Sequence, residues 1–89
     1  MKEHLKLLGM TVEDKVTGFA GVVTSIDFDL YGCVQAVVQP AAKDGKYGDP
    51  RWFDVKRLVV TGGPVMAVPS FELAPGAEAG PSDKPLAMP

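Results

Sequence analysis

Short β-type segments separated by glycine-containing turns run through residues 12–60, and no other feature constrains the fold of the chain as strongly. Residues 22–28 and 33–39 alternate side chains with the period of two that a strand requires. Pro40 ends the second of these segments, because proline cannot donate a hydrogen bond to a sheet. Shorter strands are predicted at residues 11–16, 51–54 and 58–60.

The alternation also predicts which side chains of the two longer strands share a face. One face of residues 22–28 is expected to carry Val22, Thr24, Ile26 and Phe28. One face of residues 33–39 is expected to carry Val34, Ala36 and Val38. Its opposite face is expected to carry Cys33, Gln35, Val37 and Gln39.

Short strands of this number and spacing predict an all-β fold, a small and strongly bent SH3-like barrel. Gly18 and Gly21 permit the sharp turn or bulge that a barrel corner requires. Asp54 is expected to cap one turn of 3₁₀ helix before the last strand. A barrel of this size buries little apolar surface, so association with another chain would help to stabilise it.

Three parts of the chain are predicted: an N-terminal segment (residues 1–8), the barrel (9–60) and an extended tail (61–89). The tail contains six of the eight prolines, a composition that does not build a packed core. Its apolar residues leave a second possibility open, an arm that contacts a neighbouring subunit or a partner. The tail residues predicted to make such contacts are Val65, Met66, Val68 and Phe71.

Composition argues against several classes of protein. The 89-residue chain has a formal net charge of −2, which draws it neither to nucleic acid nor to anionic lipid. One cysteine, Cys33, and one histidine, His4, cannot form an internal disulfide or a zinc site. The aspartates lack the spacing of a calcium loop. We therefore expect no metal and no cofactor. The sequence has no run of about 18 apolar residues, so we expect no membrane span.

No catalytic set is recognisable in the sequence. A nucleophilic cysteine needs a neighbouring base, and His4 lies on the N-terminal segment, far along the chain from Cys33. Cys33 is therefore expected to be a buried or half-buried strand residue. We expect no enzymatic activity and no catalytic residues.

Two motifs carry a resemblance to a known family. Residues 14–21 read D-x-V-T-G-F-x-G and residues 30–35 read L-x-G-C-V-Q, followed by an aromatic and an acidic residue at Phe53 and Asp54. In this order and spacing they resemble a family of small uncharacterised proteins encoded by tailed bacteriophages and prophages. The resemblance covers residues 9–60 and implies a phage origin and a compact β-fold, without a reaction. Residues 15–23 also resemble a KOW-type turn, which agrees with SH3-like barrel geometry.

The strand pattern predicts the candidate interface residues. Gln35, Val37 and Gln39 share one face, which is either the solvated side of the sheet or a surface that binds a partner. Trp52 and Phe53 point to opposite sides of their strand, so one belongs to the core and the other is an exposed anchor for an interface. We predict that Trp52 is this anchor.

Basic and aromatic residues cluster in residues 43–57, which contain Lys43, Lys46, Tyr47, Arg51, Trp52, Lys56 and Arg57. Three aspartates against these five basic residues leave a net charge of +2, too weak to favour nucleic acid as a partner. A solvated loop with internal salt pairs explains the cluster as well. Tyr31, Arg51 and Arg57, together with Gln35, are also candidates to line a polar pocket between subunits.

The leading hypothesis is a non-enzymatic phage or prophage protein that binds itself or another phage protein and forms a homo-oligomer. A virion role, as head decoration or a joining component, belongs to this hypothesis, and the expected location is the host cytoplasm or the virion. One alternative is a protein that sequesters a small molecule in an inter-subunit pocket as a counter-defence. Another is a nucleic-acid-binding accessory protein.

Overall fold

Residues 2–71 are described by a computed structural model of the chain. Its elements are α1 (Lys2–Leu5), β1 (Thr11–Asp14), β2 (Ala20–Phe28), β3 (Val34–Gln39), β4 (Arg51–Asp54), the 3₁₀ helix η1 (Val55–Arg57) and β5 (Leu58–Gly62). The five strands form one antiparallel sheet in the order β4-β3-β2-β1-β5. The predicted all-β class with five short strands is confirmed, and the part of the predicted tail from residue 72 onward lies outside the described residues.

Contacts across the sheet show that it is strongly bent. β1 and β4 are separated by two other strands, which would place them about 14 Å apart in a flat sheet. Phe53 of β4 nevertheless lies close to Phe19, which stands in the turn between β1 and β2. Their ring centroids are 5.4 Å apart. The Arg57 guanidinium lies 5.3 Å from the Phe53 ring centroid and also bonds the Asp14 carboxylate of β1. The sheet therefore curves back on itself, with η1 joining its two edge strands.

The core lies inside this curve and is small. Its fully or almost fully buried apolar side chains come from four strands and are Val12, Val23, Ala36, Val38 and Phe53. Partly buried side chains pack around them: Leu7, Leu8, Met10, Phe19, Ile26, Val55 and Leu58. Burial of Ala36 and Val38 confirms the face predicted for β3.

A β-bulge in β2 makes the predicted face of that strand wrong. Val23 pairs with Val38 and Ser25 pairs with Val37, so Thr24 is an extra residue that has no partner in the register. Beyond it, Ile26 pairs with the buried Ala36. Before the bulge the odd-numbered Val23 faces the core, and after it the even-numbered Ile26 does. Strict alternation from residue 22 does not predict this change of face.

Residues 2–10, which precede β1, pack against the sheet. The amide of Gly9 donates to the Val23 carbonyl at 2.8 Å, and the Val23 amide donates to the Met10 carbonyl at 2.9 Å. These bonds extend the pairing of β1 with β2. In α1, the His4 ring packs edge-on against Phe28 at 5.9 Å between centroids. Residues 2–10 thereby cover one end of the bent sheet.

Residues 64–71, here called the arm, turn back onto the same domain after β5. The Val65 amide donates to the Gly9 carbonyl at 2.9 Å. The arm forms one wall of an apolar groove of about 320 Å³, whose other wall includes Leu8, Val22 and Thr24. Its large apolar side chains remain mostly exposed, Met66 at 70% and Phe71 at 61%. The predicted contact residues of the tail thus lie against their own chain while still presenting apolar surface to solvent.

Gly21 is required by the close approach of β2 to the end of β3. A Cβ at this position would lie 2.3 Å from the Gln39 carbonyl oxygen, a backbone atom that cannot rotate away. We expect Gly21→Ala to lower the free energy of unfolding by about 1–3 kcal/mol, measured by urea denaturation. Gly62→Ala is the matched control, because a Cβ there meets Thr11 at an ordinary 3.9 Å. Equal stability of the two variants would contradict this account.

The contribution of the arm can be isolated with two truncations. A chain ending at Gly63 lacks the arm, whereas a chain ending at Phe71 retains it, and neither contains residues 72–89. Because loss of the arm exposes Leu8 and Val22 to water, we expect the shorter chain to melt roughly 3–8 °C lower and to keep the far-ultraviolet circular dichroism of the sheet. Equal melting temperatures would show that the arm adds nothing to stability.

Candidate interaction surface

Side chains of β2, β3 and β4 that point away from the core form the outer face of the sheet. The pairing register places them in two rows across the strands. One row is Ser25, Val37 and Trp52; the neighbouring row is Asp27, Gln35 and Asp54. The structure thus brings three of the predicted candidates, Gln35, Val37 and Trp52, together on one surface.

Trp52 is the largest apolar group on the outer face. It is the only tryptophan of the chain and its side chain is 57% exposed, whereas its neighbour Phe53 is buried in the core. Val37, directly opposite on β3, is half-buried beside it. An exposed tryptophan supported by a β-branched residue and bordered by polar groups has the composition of an interface centre.

The two predicted glutamines have different roles. Gln39 donates from Nε2 to the Gly48 carbonyl at 2.9 Å and to the Pro40 carbonyl at 3.3 Å, so its amide holds the β3–β4 connection. The Gln35 amide makes no side-chain hydrogen bond with any residue in the range 2–71, and lies between the carboxylates of Asp27 and Asp54. Of the two, Gln35 has its amide available to a partner.

The turn between β2 and β3 is pre-organised. The Asp29 carboxylate accepts hydrogen bonds from the amides of Tyr31 at 2.8 Å and Cys33 at 3.0 Å. Tyr31 and Leu30 extend into solvent at the tip, 87% and 91% exposed. Cys33 is also exposed, so the expectation of a buried cysteine is wrong: β3 begins at Val34, and Cys33 belongs to the turn.

The other predicted ligand residues are not gathered in one place. Tyr31 lies at the tip of the β2–β3 hairpin, whereas Arg51 starts β4 opposite Val38, at the other end of that hairpin. Arg57 lies in η1 and binds Asp14 on the inner side of the sheet. A pocket lined by all three within a single chain is therefore not present in the described part of the protein.

The Asp14–Arg57 ion pair was not foreseen from the sequence. Arg57 donates from Nε to Oδ1 at 2.8 Å and from Nη2 to Oδ2 at 2.7 Å. The Thr17 amide and hydroxyl also donate to Oδ2, at 3.0 and 2.5 Å. The side chain of Asp14 is fully buried and that of Arg57 is 40% exposed. With both oxygens engaged, this carboxylate is a structural group.

Electrostatics at this pair favour the charged forms of both groups. The Arg57 hydrogen bonds lower the pKa of the Asp14 carboxyl far below its usual range, against the opposing effect of burial, and the Thr17 donors add to the decrease. The hydrogen bonds to Asp14 raise the pKa of the Arg57 guanidinium in turn. The pair thus remains ionised at neutral pH and links β1 to η1.

The β3–β4 connection carries Lys43, Lys46 and Tyr47 of the predicted basic and aromatic cluster. Lys43 and Lys46 pair through two backbone hydrogen bonds of 2.8 and 2.9 Å across a turn formed by Asp44 and Gly45. Both turn residues have positive φ, 53° and 75°, as a type I′ turn requires. The lysines and Tyr47 point into solvent, and the nearby Asp44 and Asp49 limit the local positive charge.

Residues 2–71 contain no group of three or more histidine, cysteine, aspartate or glutamate side chains placed to hold a metal ion. In the same range, no helix has the length and apolarity needed to cross a membrane.

Comparison with known proteins finds no matching family model, no similar curated protein and no similar solved structure. The resemblance to phage proteins therefore stays a prediction from the motifs in residues 14–21 and 30–35.

Acid should weaken the domain through Asp14. Because the pKa of its carboxyl is lowered in the folded state, the stabilisation is fully present above the unfolded value of about 3.9 and is lost as the pH falls through the folded value. We expect Asp14→Asn to reduce the melting temperature at pH 7 by roughly 10 °C or more and to flatten its dependence on pH between 5 and 2. Asp49→Asn, in the exposed connection, is the control and should melt like the wild type. A pH profile unchanged by Asp14→Asn would contradict this assignment.

Proposed function

We propose that this protein is a non-enzymatic interaction protein that self-associates through the outer face of its sheet. The observation that carries the proposal is Trp52, 57% exposed on an edge strand and backed by Val37. Large aromatic side chains dominate the binding energy of protein interfaces. An exposed tryptophan on a partly polar sheet face is most simply explained by a partner that covers it.

The small core supports association for an independent reason. The fully or almost fully buried apolar side chains within residues 2–71 are one phenylalanine, three valines and one alanine. A domain with so little buried surface has a narrow margin of stability, and covering additional apolar surface with a second chain widens it.

A phage or prophage role is the biological setting that we propose for this association. Its support is the pair of motifs in residues 14–21 and 30–35, and it includes a virion component used in head decoration or joining. Detection of the protein at a fixed stoichiometry in purified particles would support a virion role. Its absence from particles, with the protein free in the host cytoplasm, would favour a soluble accessory role.

No specific observation favours either alternative function, the binding of a small molecule or of nucleic acid. A small-molecule pocket would need Arg57, whose guanidinium is engaged by Asp14. Binding of nucleic acid would use the β3–β4 connection, where Asp44 and Asp49 lie among the basic residues.

Substitution of Trp52 tests the proposal directly. We expect light scattering to find a defined oligomer for the wild type, and Trp52→Ser to weaken association at least about tenfold, because the main apolar anchor is lost. Tyr47→Ser is the matched control, an aromatic residue that is 87% exposed but lies outside the outer face. A wild type that stays monomeric at all concentrations, or a Trp52→Ser variant that associates normally, would refute self-association through this face.

The single tryptophan also reports association without a label. If the outer face is covered in the oligomer, dilution should shift the emission of Trp52 to longer wavelength and increase its quenching by iodide, with the same midpoint as dissociation measured by light scattering. An emission spectrum that stays constant through dissociation would place the interface elsewhere.

A further inference from the structure

One edge of the sheet, along β5, has no neighbouring strand within residues 2–71. β5 contains neither a charged residue nor a proline, and Val59 and Val60 are 46% and 44% exposed. The other edge strand, β4, begins and ends with a charged residue, and Pro50 directly before it has no amide to donate. Charges and prolines protect sheet edges from pairing with other chains, so β5 is the edge that remains open.

The backbone of Val60 points away from the sheet. The Lys15 amide donates to the Arg57 carbonyl at 2.8 Å, which makes these two residues a hydrogen-bonded pair of the β1–β5 ladder. Bonded and non-bonded pairs alternate along an antiparallel ladder, so Glu13 and Val59 form the next bonded pair. Val60 then directs both its N–H and its C=O to the open edge, where neither group has a partner within residues 2–71.

Only a short stretch of this edge is able to pair. The Leu58 amide is already engaged by the Val55 carbonyl of η1. On the other side of Val60, Thr61 is the extra residue of a β-bulge, where the regular ladder ends. A long strand from another protein would therefore gain few further hydrogen bonds here. A second Val60, by contrast, offers one donor and one acceptor that match those of the first.

We propose that the partner of this edge is β5 of a second copy of the chain, antiparallel about a two-fold axis at Val60. The Val60 amide of each copy donates to the Val60 carbonyl of the other, so that all four groups are bonded. The exposed side chains of Val59 and Val60 cover apolar surface across the new strand pair. Because residues 58–62 carry no charge, no like-charge repulsion opposes the contact.

This contact goes beyond the self-association proposed above. It uses backbone groups of β5, whereas the outer face uses side chains of β2, β3 and β4 around Trp52. A chain that uses both surfaces has two neighbours, so its assemblies are larger than a dimer. Trp52→Ser removes the anchor of the outer face alone and should reduce these assemblies to a dimer that is held by β5.

Hydrogen exchange of the Val60 amide tests the pairing in the full-length Trp52→Ser variant. This amide is open in the monomer and bonded in the dimer. We therefore expect NMR to show exchange at least about threefold slower at about 1 mM protein than at about 20 μM. Leu30, at the exposed tip of the β2–β3 turn, is the reference and should exchange at one rate throughout. A Val60 exchange rate that does not depend on concentration would overturn the proposal.

Removal of the same amide gives a second test, by light scattering in the Trp52→Ser background. Val60→Pro deletes an N–H that points outward and spares the bonds from β5 to β1, so it should weaken dimerisation at least about tenfold. Val60→Thr is the matched control, because it keeps the amide and the branched shape, and it should dimerise like its parent. Circular dichroism establishes that the proline variant is folded; if it is not, the exchange of Val60 decides alone.

The outcomes separate the two interfaces. If the wild type forms an oligomer and Trp52→Ser is monomeric with concentration-independent exchange at Val60, the β5 contact is overturned and the outer face stands. If Trp52→Ser associates like the wild type and Val60 exchange slows with concentration, the outer face is refuted and the β5 contact stands. Equal dimerisation of folded Val60→Pro and Val60→Thr variants also overturns the β5 contact.

Discussion

The bent sheet depends on the ion pair between Asp14 and Arg57. A carboxylate without solvent contact at the end of β1 requires a partner, and Arg57 supplies two hydrogen bonds from η1. The same guanidinium lies over Phe53, so one side chain connects β1, η1 and the core side of β4. The Lys15 amide adds a backbone bond of 2.8 Å to the Arg57 carbonyl. Curvature that brings the two edges of the sheet together is stabilised at this point.

Curvature in turn defines what the protein can present to a partner. Because the concave side is filled by the core, the functional surface must be convex or peripheral. The bulge at Thr24 rotates β2 so that Ile26 joins the core while Ser25 stays beside Val37. Gly21 lets the other end of β2 pass close to Gln39, whose amide secures the β3–β4 connection. The outer face around Trp52 is therefore built on three strands with fixed register.

Alternation in the sequence was sufficient to predict the strands and the buried face of β3, because Ala36 and Val38 lie in an uninterrupted period of two. Alternation did not predict the buried face of β2, because the extra residue Thr24 changes which side chains face the core and nothing in the local sequence identifies it as a bulge. Asp14 and Arg57 are 43 positions apart, and nothing local distinguishes a buried, paired aspartate from one in a turn. The sequence could predict that Trp52 and Phe53 lie on opposite faces of their strand, with Trp52 outside. That Trp52 shares a surface with Gln35 could be known only from the register between β3 and β4.

Strand order has a consequence for how the protein is made. β5 pairs with β1, which leaves the ribosome before the other strands of this sheet, and β1 occupies the position between β2 and β5. Until residues 57–62 emerge, a nascent chain can form the β2–β3–β4 meander but leaves one edge of β1 open and Asp14 without Arg57. Completion of the fold is thus a late, long-range event in synthesis, and the unfinished domain exposes a strand edge to other chains throughout that interval.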